Sequence, residues 1–433
     1  MTTAQFLNAV KGKEFDRAFA ALYGNSDEKV SKQRQRYING LESFGRLFGA
    51  DRQVAVYSAP GRTELAGNHT DHNKGKVLAG AVNIDAVCII SPNGGFGVNV
   101  YSEGYGQAAD FDCRYTDSAE NEKGTSQSLV KGVCRALKAK GAVLSGFDAY
   151  VFSDVAQGSG LSSSAAFEVV MAQAINGEFC GGKYSPVELA RAAQFAENEY
   201  FGKPSGLMDQ LACSVGGVAA IDFADEEKPQ VRKLEFDMEE AGLALCVVDT
   251  KASHANLTDE YARIKEEMCQ VASVLGKNFL GYSSKECLLE NFQKVRETAG
   301  DRAFIRAMHF YDECERVQQR VNAIEAKNTE DFLQVILRCG HSSFEYNQNV
   351  YCINDVFNQP VSVALALAQN FLQGKRAAWR LQGGGFAGTI LCFVPKDVAC
   401  AFAEYIDGYF GHGSCMTLTM RKYGAVKLSK SII

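Results

Sequence analysis

Apolar residues in the first fifty positions recur at helical spacing: Phe15, Ala18, Phe19 and Leu22, then Ile38, Leu41 and Phe44. The period then shortens. VAVYSAP (54–60), VLAGAVNIDAVCII (77–90) and FGVNVYS (96–102) are β-branched and aromatic, and Pro92-Asn93-Gly94-Gly95 makes a turn between the last two. A helix is predicted over 126–140, a strand over 147–155, and two helices between 161 and 201. The second of these helices starts at Ser185, with Pro186 in its first turn and Glu188 completing a capping box. Further strands are expected at 217–223, 231–236, 244–250, 388–394 and 414–421, and long helices at 256–277 and 302–338. The acidic ADEEKPQ at 224–230 reads as a linker. Strands and helices in mixed order, with hairpins, predict an α+β fold rather than a regular βαβ winding.

Composition narrows the function classes. The 433 residues carry 45 Lys+Arg against 51 Asp+Glu, a net charge of −6, so polyanions such as nucleic acid and anionic membranes are poor partners. No apolar run approaches the roughly 18–20 residues of a membrane span, and the N-terminus has no secretion pattern. The 14 cysteines contain no C-x-x-C pair, which argues against zinc and disulfide frameworks and for a reducing, cytoplasmic setting. Glycine stands at 41 against 7 prolines, which points to tight backbone geometry in particular places.

Much of that glycine lies in segments that also carry polar chemistry. Gln157-Gly158-Ser159-Gly160-Leu161-Ser162-Ser163-Ser164-Ala165-Ala166 follows a strand and opens a helix, where unpaired N–H groups and the helix dipole favour an anion. No G-K-[ST] follows, so this is not a Walker loop. Ser58 through Gly75 gathers Arg62, Asn68, His69, Asp71 and His72 on a loop expected between two strands. His69, Asp71 and His72 are possible metal ligands, but neither a helix nor a cysteine pair supports that reading. Gly202 through Gln210 follows the helix whose apolar stripe (Leu189, Ala193, Ala196, Tyr200) also turns Glu197 inward, where a carboxylate needs a cation or donors. Gly383, Gly385 and Gly388 match G-x-G-x-x-G, yet a strand follows where a dinucleotide site needs a helix, so NAD is rejected.

In this order and content the segments resemble the GHMP small-molecule kinases and, within them, the galactokinase family. The resemblance spans nearly the whole chain from about residue 40 and also takes in His254 through Tyr261. It implies a two-domain GHMP-kinase-like fold with the active site in the cleft between an N-terminal domain (41–225) and a C-terminal domain (226–433), behind a helical extension (1–40). It implies a sugar 1-kinase that uses ATP and Mg2+. Asp209 matches the acid near the anomeric hydroxyl, and Arg62 its partner. Asn68, His69, Asp71, Gly206 and Tyr261 match sugar-binding positions, Gly158, Ser159, Gly160, Leu161, Ser162, Ser163 and Ser164 the ATP phosphate loop, and Ser164 and Glu197 the magnesium ligands. The resemblance leaves oligomeric state open, with a monomer favoured.

Three departures bear on the substrate. The family usually reads G-E-H-T-D-Y where this chain has Gly67-Asn68-His69-Thr70-Asp71-His72, and Val-Asn where it has Thr63-Glu64. His341 through Asn347 lacks the arginine of the usual H-S-L-R-D-D-Y. Galactose is the expected sugar. Asn68 in place of a glutamate opens the alternative of a sugar altered at carbon six, such as galacturonate, and a non-catalytic sugar sensor is the reading from another class.

Overall fold

The computed structural model describes residues 1–156, 158–225, 227–252 and 257–431; Gln157 and the His254–Asn256 part of the stretch leading to Tyr261 lie outside the described residues. In chain order the first half contains α1 (Thr3–Lys11), α2 (Asp16–Tyr23), α3 (Asp27–Phe48), β1 (Ala55–Ala66), β2 (Lys76–Pro92), β3 (Gly97–Ser102), β4 (Gly106–Asp112), α4 (Ser126–Ala139), β5 (Phe147–Ser153), α5 (Ser163–Phe179), α6 (Pro186–Phe195), α7 (Met208–Val215), β6 (Val218–Asp222) and β7 (Gln230–Leu234). The second half contains β8 (Leu243–Asp249), α8 (Thr258–Val274), α9 (Lys285–Glu290), α10 (Phe292–Ala299), α11 (Asp301–Glu325), α12 (Thr329–Ser342), α13 (Pro360–Leu372), β9 (Ala378–Gln382), β10 (Thr389–Pro395), α14 (Ala399–Phe410), β11 (Cys415–Leu418) and β12 (Val426–Lys427). No helix among the described residues is long and apolar enough to cross a membrane.

The larger sheet has the order β12-β1-β2-β5-β3-β4, with β6 on the near end of β2 and β7 on β6; a four-stranded sheet runs β11-β8-β10-β9. Side-chain alternation explains the unbroken apolar run Ala86-Val87-Cys88-Ile89-Ile90 in β2. Ala86, Cys88 and Ile90 face the core under α4–α7, while Val87 and Ile89 face a second core built by α1–α3 with Phe15, Phe19, Tyr37 and Phe44. The amphipathic N-terminal helices therefore cover the back of the sheet. Buried Asp85 bolts them on: its carboxylate accepts from Arg36 Nη1 (2.6 Å) and Tyr23 Oη (2.6 Å) in the extension, and from Arg421 Nη1 (3.0 Å) in the tail.

Four expectations need correction. The linker at 224–230 is the turn of the β6–β7 hairpin, and the chain passes to the second sheet after Leu234. Residues 58–66 belong to β1, so the loop there is confined to 67–75. The helix at 302–338 is two helices, broken where Lys327 adopts φ 52° and Asn328 caps α12 by accepting from Asp331 N at 3.1 Å. Strands β4 and β9 were not expected at all.

Candidate active site

Arg62 sits at a bulge in β1, where its register against β2 shifts between Pro60 and Arg62. The bulge lets the strand take the incoming phosphate loop: Arg62 N donates to Leu161 O at 3.0 Å, and a side chain on Gly61 would come within 2.9 Å of the same oxygen. Buried Leu161 anchors the loop, and Gly158 and Gly160 take φ of 75° and 68°, which glycine adopts without strain. Ser162, also left-handed, caps the 17-residue α5, so residues 158–164 deliver the loop amides and the start of a long helix to one wall of the cleft. The glycine segment before β10 forms the facing wall: Gln382 Nε2 donates to Gly160 O at 2.9 Å, and its Oε1 accepts from Thr63 at 2.9 Å. Together Arg62, residues 158–160 and 162–164, Lys203, Asp209 and residues 382–385 line a cavity of about 230 Å3.

Asp209 is the second residue of α7 and meets Arg62 in a fork. Arg62 Nε donates to Oδ1 at 2.6 Å and Nη2 to Oδ2 at 2.6 Å, while Nη1 reaches Gly160 O at 2.6 Å. Ser162 Oγ donates to Asp209 as well. Burial by itself raises the Asp209 pKa, but the Arg62 guanidinium, the Ser162 hydroxyl and the charge of Lys203 outweigh it and hold the carboxyl below its ordinary value.

Glu197 lies on a π-helical turn at the end of α6, on the buried side of the stripe, 2% exposed. It accepts from Ser164 Oγ (3.0 Å), Lys203 Nζ (2.7 Å), Ser205 Oγ (2.6 Å) and Gln210 Nε2 (2.8 Å). This answers what a carboxylate on an apolar stripe is doing there. Lys203, Ser205, Gln210 and Gln382 carried no role in the sequence reading. The G-K-P-S-G stretch held a signal for the first two, because a lysine and a serine follow directly on the helix that bears Glu197.

The sugar-signature residues divide. A side chain on Gly206 would lie 1.8 Å from Asp71 Oδ2, so only glycine lets that backbone meet the carboxylate. Burial first, and the charge of Asp209 second, push the Asp71 carboxyl up to about 6. These three form one face. Asn68, by contrast, is 1% exposed and turned inward: Nδ2 donates to Glu64 Oε1 (3.1 Å) and Gly383 O (2.7 Å), and Oδ1 accepts from Asn349 Nδ2 (2.9 Å) and Asn347 Nδ2 (3.4 Å).

His69 is also engaged internally. Asn73 Nδ2 donates to His72 Nδ1 (2.9 Å), which leaves the His72 Nε2–H to donate to His69 Nδ1 (3.2 Å) and the His69 Nε2–H to donate to Gly384 O (2.9 Å). Burial lowers both imidazole pKa values, so the chain of neutral rings is self-consistent. The Tyr261 hydroxyl donates to Gly385 O at 2.8 Å. The structure thus brings Arg62, Asp71, Gly206, Asp209, Ser164 and Glu197 to the cleft, and spends the polar atoms of Asn68 and His69 on holding the loop.

Comparison with known proteins places this geometry. A family model for the GHMP kinases N terminal domain matches residues 128–217, and one for the galactokinase galactose-binding signature matches residues 42–92. The chain is 33% identical over 374 residues to a galactokinase of Streptomyces coelicolor, covering 85% of this chain and 92% of that protein. It is 29% identical over 391 residues to a galactokinase of Homo sapiens, covering 88% and 94%. Among solved structures, a Lactococcus lactis galactokinase complexed with galactose superposes with a TM-score of 0.76 at 24% identity, over 89% of this chain and 98% of that one. A mevalonate kinase superposes with a TM-score of 0.60 at 15% identity, over 84% and 98%. These two likenesses establish the shared fold.

Proposed function

The chain belongs to the galactokinase family, and from that membership we propose that it transfers the γ-phosphoryl group of ATP to the anomeric hydroxyl of galactose, giving galactose 1-phosphate and ADP. The observation that carries the reading is the forked Arg62–Asp209 pair at the mouth of the 158–164 loop.

The chemistry follows from that geometry. The anomeric oxygen forms a bond to the γ-phosphorus, the bond from phosphorus to the β,γ-bridging oxygen breaks, and the hydroxyl proton passes to Asp209. A carboxylate held ionised by Arg62 orients the hydroxyl from the start. Because its basicity is also depressed, it takes the proton late, as the oxygen–phosphorus bond forms, which suits a loose transition state governed by positioning and charge. The loop amides, the start of α5 and Lys203 meet the phosphate charge. On the sugar side, Asp71 and the Gly206 backbone offer hydrogen-bonding groups beside Asp209.

Ser164 and Glu197 fit a magnesium ion: both are hard oxygen donors 3.0 Å apart, with the carboxylate fixed by three further donors. Among the described residues no group of three or more acidic, histidine or cysteine side chains forms a complete cage, as suits an ion shared with phosphates and water. When bound, it would neutralise charge on the transferring phosphoryl group. Asn68 gives the galacturonate alternative no support, since its amide is committed to protein partners.

The test is a panel of galactose, galacturonate and N-acetylgalactosamine with Mg-ATP, read as sugar 1-phosphate formed by the purified protein. Galactose should give the highest kcat/KM. No sugar 1-phosphate from galactose sinks the proposal.

A further inference from the structure

Behind the loop of residues 67–71 lies a buried group of charges that the proposed reaction does not use. On α11, Glu313, Arg316 and Arg320 follow one another at spacings of three and four and share one face. Glu64 comes from β1 and Arg380 from β9. Most of these side chains are paired. Glu313 takes the Gly67 amide on Oε1 (3.0 Å) and Arg316 Nε on Oε2 (2.8 Å), while Arg380 is paired with Glu64. Asp312, which faces Arg316 from outside, is already paired with Lys285.

Arg320 is left over. Its side chain is 0% exposed, its guanidinium lies 5.9 Å over the centre of the Phe332 ring, and Nε, Nη1 and Nη2 all lack a hydrogen-bond acceptor. Arg380 Nε lacks one too. Three guanidinium groups (316, 320, 380) stand against two carboxylates (64, 313), which leaves one positive charge uncompensated. The other titratable neighbours do not supply the missing charge: burial pushes the Cys339 thiol up to about 11 and the His309 imidazole down to about 4, so both are neutral. Guanidinium does not shed its proton in proteins, and a buried cation without a counter-charge is strongly disfavoured. Water would satisfy the N–H groups but not the charge.

We propose that the open edges of Arg320 and Arg380 bind one small monovalent inorganic anion, chloride, in the wedge between α11, β1 and β9. The site is separate from the phosphate cavity and does not depend on the reaction proposed above. Bound there, the anion completes the network that fixes Gly67 through Glu313 and Glu64 through Arg380, and so stiffens the base of the sugar-signature loop.

The experiment uses the full chain at constant ionic strength, with chloride replacing gluconate stepwise and the thermal midpoint as readout. In the wild type the midpoint should rise with chloride and saturate as a one-site isotherm, whereas Arg320→Met should show no saturable response. Crystals soaked in bromide should give an anomalous peak within hydrogen-bonding reach of the Arg320 and Arg380 guanidinium groups. A wild-type midpoint indifferent to chloride overturns the proposal, as does an equal response in Arg320→Met. So do bromide crystals holding only water there, and that arm decides alone if the variant fails to fold.

Discussion

The two ends of the cleft are built on opposite plans. At the phosphate end, the groups that matter face the cavity. Arg62 and Asp209 pair across it, Ser164 and Glu197 meet at 3.0 Å, and the loop is held from below by Leu161. At the sugar end, most of the signature faces inward: Asn68 is sealed among Glu64, Gly383, Asn347 and Asn349, and His69 is pinned between His72 and Gly384. Phosphate chemistry calls for charge and free amides, which a loop and a helix start present locally. Sugar selection calls for a fixed outline, and here an interior network draws it, leaving Asp71, Gly206 and Asp209 to touch what enters.

The largest effect should come from the phosphate end. Asp209→Asn keeps the shape and removes the proton acceptor, and kcat should fall about 10^3-fold, read in a single-turnover assay, while ATP affinity changes little. An undiminished kcat would remove Asp209 from the mechanism.

The next prediction sharpens the contrast at the sugar end. Relative to the usual family pattern, this chain has exchanged the amide and carboxylate of positions 64 and 68, and the two side chains are in contact at 3.1 Å. Asn68→Glu alone puts a second buried carboxylate beside Glu64 and should cost about 3–5 kcal/mol in denaturant unfolding. Adding Glu64→Asn should recover more than about 2 kcal/mol of that loss as a pairwise coupling. Additive effects would mean that the exchange is not a compensating pair.

Glu197→Gln tests the metal assignment. It leaves the packing in place and removes the charge, so the Mg2+ concentration for half-maximal rate should rise at least about tenfold with galactose KM unchanged. A shift confined to galactose KM would move Glu197 out of the phosphate end.

The smallest effect is a pH dependence. Free Asp71, with its pKa pushed up to about 6 by burial and by Asp209, takes up a proton as pH falls through that value, whereas Asp209, held below the ordinary range, stays ionised. Galactose kcat/KM should therefore drop about tenfold per unit below pH 6, and Asp71→Asn should flatten that limb. If the limb persists in Asp71→Asn, another group is titrating.

Where sequence reading failed, the reasons are physical. β9 (Ala378–Gln382) escaped because Arg380 breaks its apolar pattern; in the fold that charge is buried against Glu64, more than 300 positions earlier. β4 (Gly106–Asp112) is a polar edge strand with little alternation to detect. The break between α11 and α12 carried a legible cap in Asn328, hidden by apolar spacing that continues across it. The hairpin at 222–230 looked like a linker because tight turns and linkers draw on the same residues.

What the sequence determined by itself is the inventory: an α+β order of elements, a loop shaped by Gly158 and Gly160 before a helix, and the residue types at 62, 164, 197 and 209. Each of these depends on local backbone geometry or on a charge that must be met. What only the tertiary structure decided is the direction in which each polar side chain spends its hydrogen bonds. Asn68 and His69 read as sugar ligands because their types suit sugars, but their partners lie at 347, 349, 383 and 384. A buried amide or imidazole must be satisfied by whatever folding brings beside it, and no local spacing encodes that.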